Sequence, residues 1–487
     1  MYSDITQMQS TAIQGLRRSQ RGIDHTMERL TTGQRINDSA EVGAELIKLS
    51  RLVSQVTSLK ASIKNVSESL SLLDTADAAL DEIQDILDRM RTIAVESSSD
   101  AITATERTVF ANETGELLAE IESIASSTSF NKRRLLDGSL TGLTIQAGPS
   151  SADTLSLSIA SSNPESLGAY SAIGPTRGAL AAASTATANT TTTSEDIILS
   201  TAGGSTTIQV GDNESAKAVA ASVNAVTADT SVSAAAQTFA LLFSTSGSSE
   251  NYTVSINGTS TSSFSISNSS VTDAVSKINL ISSTTGVVAT TTSSNQVLLH
   301  DADGDDITIE NTSANVNLDI QAVGYDGATT EGNAVSLAAT NNNDATRVIG
   351  TLRLTSESSF SITQSGTSSL GYASTGTPAL SSLSSVSIET ASGASLSIAV
   401  IDGAINQVSE IRGRTGSAQS RLGFVENFLT NQALSKEIAS GAILDADIAL
   451  ESAKLAKAMV LQEINTALLA QANAGTSLLT KVLLDAA

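Results

Sequence analysis

The sequence contains no cysteine. Thiol catalysis and cysteine zinc sites are therefore excluded, and a chain working outside the cell would depend on packing or oligomerisation for stability. Tryptophan is absent, and histidine occurs only twice, as His25 and His300, in different zones. No His-Glu-x-x-His pair is present, so a zinc-peptidase helix is excluded as well. Basic residues are scarce: 27 Lys+Arg stand against 50 Asp+Glu, a formal charge of −23. Nucleic acid and anionic membrane surfaces need a basic footprint, so neither is expected as a partner. Copies of the chain repel one another, and assembly would have to work against that repulsion or wait for salt to screen it. No apolar run reaches 18 residues, so no membrane insertion is expected. The opening "MYSDITQMQS" has no charged-then-apolar signal, so any export is expected without a cleaved secretory signal.

What is present falls into three zones, a plausible content for 487 residues at roughly 150 per domain. The first zone, to Gly138, has no proline. Leu16, Ile23 and Leu30 fall seven apart, and a break follows at "TTGQRINDS". Leu59, Val66, Leu73, Leu80, Leu87 and Ala94 then form one heptad seam, with Leu49, Val56, Ile63 and Leu70 as a second. That is coiled-coil periodicity. A helix from Leu46 to Ala94 would be on the order of 70 Å long. "SSSDA" ends it, and a second helix through Val109, Leu117, Ile121 and Ile124 folds back as a hairpin.

The middle zone, Leu140 to Ser395, is rich in Ser, Thr, Ala, Gly and Asn and holds all four prolines. Alternating runs such as "NYTVSI", "SFSIS", "NQVLLH" and "DITIEN" read as strands. "TTIQVGDNESAKAVAASVNAVTADTSVSAA" and "SFSISNSSVTDAVSKINLISSTTGVVAT" share one pattern of strand, polar turn, short helix and strand, which predicts two related α+β units. "ALAAASTATANTTTTSED" reads as a flexible linker. The last zone, from Ser397, is helical again through Ile405, Val408, Ile411, Leu422, Val425 and Leu429, interrupted at "GAILDADI". Ile448, Ser452, Leu455 and Met459 continue the stripe, and Ile464, Leu468, Leu478 and Val482 follow in looser register. The expected fold class is α+β multidomain, with long terminal α-helices paired as a coiled-coil rod and a β-rich region inserted between them.

Catalytic signals are weak. His300 sits at a strand end, and no nucleophile elbow supports a serine triad. No cofactor is expected. Asp301, Asp303 and Asp305 in "DADGDD" have the alternating spacing of a calcium loop, but Gly304 is fourth rather than sixth and no Glu stands twelfth. A tight turn with Gly304 at positive φ is the favoured reading. The sequons at Asn251 and Asn257 make glycosylation a hypothesis, which an intact mass of 49.7 kDa would refute.

The stretch "LAKAMVLQEINTALLAQANAG", Leu455 to Gly475, is apolar on more than one face. Such a helix needs cover. Two readings remain from pattern alone. One is an intramolecular bundle; the other is a heterologous contact between copies that repeats into a helical filament.

Several motifs resemble bacterial flagellins: "ERLTTGQRIN", "LLDTADAALDEIQDILDRMRTIAVESSSD", "TSFNKRRLLDG" and the C-terminal run from "ILDADIALESAKLAKAMV" onward. Two places depart from the family: "SAEVGAE" after "RIND", and Asn131-Lys132 where Asn-Gly is usual. The resemblance implies a structural, non-enzymatic filament subunit for motility, exported unfolded and working outside the cell. Residues 1–43 and 443–487 would form the inner filament core, 44–140 and 396–442 the helical rod, and 141–395 a surface-exposed β-rich region. Leu16, Ile23, Leu30, Leu455, Met459, Ile464 and Leu468 would carry the core interface. Partners would be other copies, hook-associated junction and cap proteins, and an export chaperone at the C-terminal helix. Leu87, Arg89 and Glu113 match a region that a Toll-like receptor senses in many flagellins, with Leu87 also a core heptad position. A hook–filament junction protein, or a secreted adhesin with a helical stalk, stands as the alternative.

Overall fold

The computed structural model describes residues 2–37, 43–99, 101–191, 195–246, 248–267, 269–313, 316–339, 342–365 and 372–485. Helices α1 (Tyr2–Thr32), α2 (Gly43–Ser97) and α3 (Ala104–Ser127) begin the chain. Four shorter helices, α4 (Ala216–Ala225), α5 (Thr227–Thr230), α6 (Thr272–Asn279) and α7 (Ser282–Thr285), lie among strands. Helices α8 (Ala391–Leu444) and α9 (Ile448–Asp485) end it. The fold is α+β, with long helices at both ends and a β-rich centre. The chain divides into two compact units: Met1–Leu73 with Gly142–Leu157 and Ser417–Ala487, and Asp74–Thr141 with Ser158–Gly416. Helices α2 and α8 contribute residues to both.

The heptad seam of α2 is a packing seam. Leu59, Val66, Leu73, Leu80, Leu87 and Ala94 are all fully buried. The second seam is less regular than the sequence predicts: Leu49 is buried, whereas Val56, Ile63 and Leu70 are half-buried. Ser62 and Ser69 fill the buried positions there, and Ala76, Ile83 and Met90 take over further along. Antiparallel α8 lies beside α2. In the first unit Lys60 pairs with Glu437 at 3.3 Å; in the second Arg412 reaches Asp77 at 3.3 Å and Asp81 at 2.6 Å.

The expected hairpin forms. The side chain of Thr103 accepts from the backbone of Glu106, whose carboxylate accepts from Thr103, a capping box that starts α3. Arg107 donates to the carbonyls of Ser97 and Ser99 at 2.9 and 2.7 Å and satisfies the end of α2. After α3, Phe130 and Arg133 pair across a two-residue turn in which Asn131 (φ 49°) and Lys132 (φ 65°) are both left-handed. That is the geometry of a type I′ hairpin, which favours Asn-Gly. Residues 39–42 of "SAEVGAE" lie outside the described residues.

The central region holds two apolar cores. Val219 and Val223 of α4 pack with Ile197, Leu199, Leu352 and Leu354 in one. Ala274 and Ile278 of α6 pack with Tyr252, Phe264, Leu299 and Ile307 in the other. The long strand Val232–Phe243 serves both: its first half pairs with Thr351–Ser356, and its second half lies between Val297–Asp301 and Leu318–Val323. The internal repeat is structural. Each copy runs strand, helix, one-turn helix and strand, and each one-turn helix ends on a left-handed residue, Ser231 (φ 55°) or Gly286 (φ 75°). Each first helix carries an asparagine that clamps the next strand: Asn224 exchanges two hydrogen bonds with the backbone of Ala234, and Asn279 does the same with Ala289.

One sequence expectation is corrected. The tract beginning at Ala179 is no free linker over its described part. Leu180 donates to the carbonyl of Arg347, Ala183 bridges Ala345, and buried Asn189 donates to Glu214 O, Asp306 and the hydroxyl of Tyr372. Ala179 and Ala182 pack against one apolar core and Leu180 against the other, while backbone and amide groups make the hydrogen bonds. Residues 192–194 lie outside the described residues. "DADGDD" makes the expected turn, with Gly304 at φ 83°, and the strands on either side of it join different sheets. Val297–Asp301 pairs within the large sheet, and Ile307–Asn311 pairs with Val254–Ile256 and Ala345–Val348 in another.

Candidate assembly surface

Helices α1 and α9 run antiparallel in the first unit, and small residues form their seam. Ala12, Ser19 and Thr26 are buried and seven apart, with Gly15 and Gly22 between them. A methyl group built at Gly15 would stand 2.7 Å from Asn465 Oδ1, and one at Gly22 would stand 3.9 Å from the Cβ of Ala458. Ser19 donates to the carbonyl of Ala458 at 2.9 Å, and Gln462 donates to Gln20 at 2.8 Å. Arg29 approaches Glu451 at 3.7 Å, and Lys454 holds the same carboxylate at 2.8 Å. The contacts step by seven in opposite directions, from Gly15 to Gly22 to Arg29 against Asn465, Ala458 and Glu451. Small residues bring the two backbones close, so the pairing rests on packing and hydrogen bonds more than on large apolar side chains.

The connections beyond this seam also meet. Gly33 ends α1 at φ 69°, and Asp445–Asp447 separates α8 from α9. Gln34 bridges Asp445, Arg35 donates to the carbonyl of Leu444 at 2.6 Å, and Ala446 donates to that of Gly33 at 2.9 Å. The two breaks in the helical pattern thus satisfy each other's backbone groups.

This seam leaves the large apolar residues outside it. Leu16, Ile23, Leu30 and Leu455 are half-buried. Met459, Ile464 and Leu468 are 56%, 50% and 43% exposed. Met27, Val460 and Leu461, which no sequence pattern singled out, are also exposed. The two terminal helices meet on their small-residue faces, so their pairing leaves this apolar surface uncovered. The alternation of Ala12, Gly15, Ser19, Gly22 and Thr26 at steps of three and four is the signal that would have found the seam. The side chains of Leu478 and Val482 lie outside the described residues.

The remaining candidate residues sit in the second unit. Arg89 donates through Nε at 2.8 Å and Nη2 at 2.6 Å to the one oxygen Oε1 of Glu113, an exposed ion pair between α2 and α3. Leu87 is fully buried, so the structure corrects its place in a receptor-contact set: it is a packing residue. Asp301 accepts from the backbone N–H groups of Asp303, Gly304 and Asp305, and burial pushes its pKa up. Asp303 and Asp305 both pair with Lys217, at 3.1 and 2.8 Å, and these hydrogen bonds, Asp305 first, push the lysine pKa up. The three carboxylates serve a turn and an ion pair instead of converging on a common point. Among the described residues no group of three or more His, Asp or Glu is placed to hold a metal. No described helix is long and apolar enough to cross a membrane.

The bacterial flagellin N-terminal helical region matches residues 5–141, and the bacterial flagellin C-terminal helical region matches residues 398–483. The chain belongs to the bacterial flagellins. It is similar to a B-type flagellin of Pseudomonas aeruginosa, 29% identical over 462 residues that cover 94% of each chain. A flagellin of Clostridium tyrobutyricum is 38% identical over 136 residues, 28% of this chain and 36% of that protein. A flagellin of Listeria monocytogenes is 37% identical over 138 residues, 28% of this chain and 48% of that protein. With these last two the matched part is thus less than half of the relative's length. Among solved structures, FliC from Burkholderia pseudomallei is 16% identical with a TM-score of 0.30, covering 72% of this chain and 99% of its own. FlgL from Xanthomonas campestris is 11% identical with a TM-score of 0.32, covering 81% and 99%. Both likenesses are loose. The two flagellin regions are those that hold α1 to α3 and most of α8 and α9.

Proposed function

We propose that this flagellin is the structural subunit of a bacterial flagellar filament and assembles through its terminal helices into a helical polymer for motility. The observation that supports this most is the seam between α1 and α9. Small residues close it, and Met459, Ile464 and Leu468 are left exposed on the helix that carries them. An exposed apolar surface on a paired helix offers itself to a neighbouring copy. Residues 1–43 and 443–487 would then be the filament core, 44–140 and 396–442 the rod, and 141–395 the outer region. Before export the same apolar face of α9 suits a chaperone groove, since an amphipathic helix docks by its apolar side. Export unfolded, contacts with junction and cap proteins, and recognition by a Toll-like receptor through Arg89 and Glu113 belong to this reading. The protein has no catalytic role in it.

The test is negative-stain electron microscopy after salting out, comparing the full chain with a version lacking residues before Ile36 and after Ile443. Long uniform filaments from the full chain and none from the truncation are expected. Monomers from both, even with filament seeds, would favour a junction protein or an adhesin.

A further inference from the structure

The second unit contains a cavity of about 230 Å³ between a sheet face and α8. Its floor is formed by the strands Gly168–Ile173, Thr351–Ser356 and Leu380–Ser382, and Leu396 and Val400 of α8 form the opposite wall. Four polar residues share the floor: Arg353, Thr355, Ser171 and Ser381. Thr355 stands directly across from Ser171, and Ser381 across from Ala169 on the same strand.

Arg353 is the unusual member. It is 9% exposed, its Nε has no hydrogen-bond partner, and its guanidinium pairs with no carboxylate among the described residues. Its neighbour is the ring of Tyr325, 5.2 Å away. Two other arginines of this unit are neutralised: buried Arg177 by Glu195 at 2.9 Å, and half-buried Arg347 by Asp306 at 3.0 Å. A guanidinium cannot shed its proton, so a buried one needs an opposite charge. The hydroxyls of Ser171, Thr355 and Ser381 likewise donate to no protein acceptor among the described residues. Three free donors and one unmatched cation on a single concave face lack the same thing, an acceptor carrying negative charge.

We propose that this cavity binds a small oxyanion, a carboxylate or a tetrahedral phosphate, with Arg353 as its charge partner and the three hydroxyls as further donors. Guanidinium matches either anion through paired N–H groups. The volume is several times the ~30 Å³ share of one water, which admits such an ion with a few waters and excludes a macromolecule. The site lies on the sheet and is independent of the terminal-helix surface.

Isothermal titration calorimetry of the full chain with inorganic phosphate, and separately with acetate, at ionic strength held constant with sodium chloride, tests this. One saturable site per chain is expected; a response to phosphate alone assigns a tetrahedral ligand, and a response to acetate alone a carboxylate. Arg353→Gln should weaken binding by about tenfold or more. Thr355→Val should weaken it by less, with an unchanged melting temperature. Arg353→Met should abolish binding yet melt, without anion, no lower than the parent, because it replaces an unmatched charge by a side chain of similar volume. No saturable heat with either anion, or undiminished affinity in Arg353→Gln, would overturn the proposal. So would a much lower melting temperature for Arg353→Met, which would make Arg353 a packing residue against Tyr325.

Discussion

At the scale of single residues, the seam and the exposed stripe of α1 and α9 predict opposite behaviour. Met459 is exposed, so Met459→Gln should leave monomer stability within about 0.5 kcal/mol. Filament yield, measured by sedimentation, should fall sharply. Gly15→Val should also reduce filaments, but by displacing Asn465 and parting the helices, and circular dichroism of the monomer should report that loss. If Met459→Gln assembles like the parent, the exposed stripe is not the contact. Lys132 holds a left-handed conformation at φ 65°, which costs a residue with a Cβ roughly 1–2 kcal/mol. Lys132→Gly should therefore raise the melting temperature of the second unit. Asp301 offers a pH test. Burial raises its folded pKa, so the folded state holds that proton more tightly than the unfolded chain does, and this group's contribution to stability grows as pH falls towards about 4. Asp301→Asn keeps an oxygen for the turn and should flatten that dependence in melts between neutral and acidic pH.

At the scale of elements, caps and clamps decide where helices start and how strands are held. Thr103→Ala removes the cap of α3 and should cost about 1 kcal/mol. Chemical denaturation followed by circular dichroism would check it. The heptad stripe of α2 was legible because apolar residues repeating every seven along one side bury together only in a packed helix. Its serine-filled positions, Ser62 and Ser69, were not, because a small hydroxyl carries no hydrophobic signal even where backbones pack closely. The central repeat was legible as a pattern. The Asn224 and Asn279 clamps that fix each copy were not, since asparagine in a polar tract does not announce its acceptor.

At the scale of the whole molecule, charge and apolar surface oppose each other. A net charge of −23 repels neighbouring copies, so filament length should increase as added salt screens it. Light scattering across a salt series would measure this, and assembly unaffected by salt would argue against an electrostatic barrier. The sequence by itself determined that both ends are helical, that the centre is β-rich and repeated, and that no cysteine or zinc-peptidase chemistry is present. Periodicity and composition are local quantities and are read along the chain. Only the tertiary structure decided which face of α1 meets α9, that the described part of the Ser/Thr tract from Ala179 is held against the sheet, and that Leu87 is buried while Arg353 has no counter-charge among the described residues. Those depend on which residues distant in the chain come within a few ångströms, and a periodic pattern names a face without naming its neighbour.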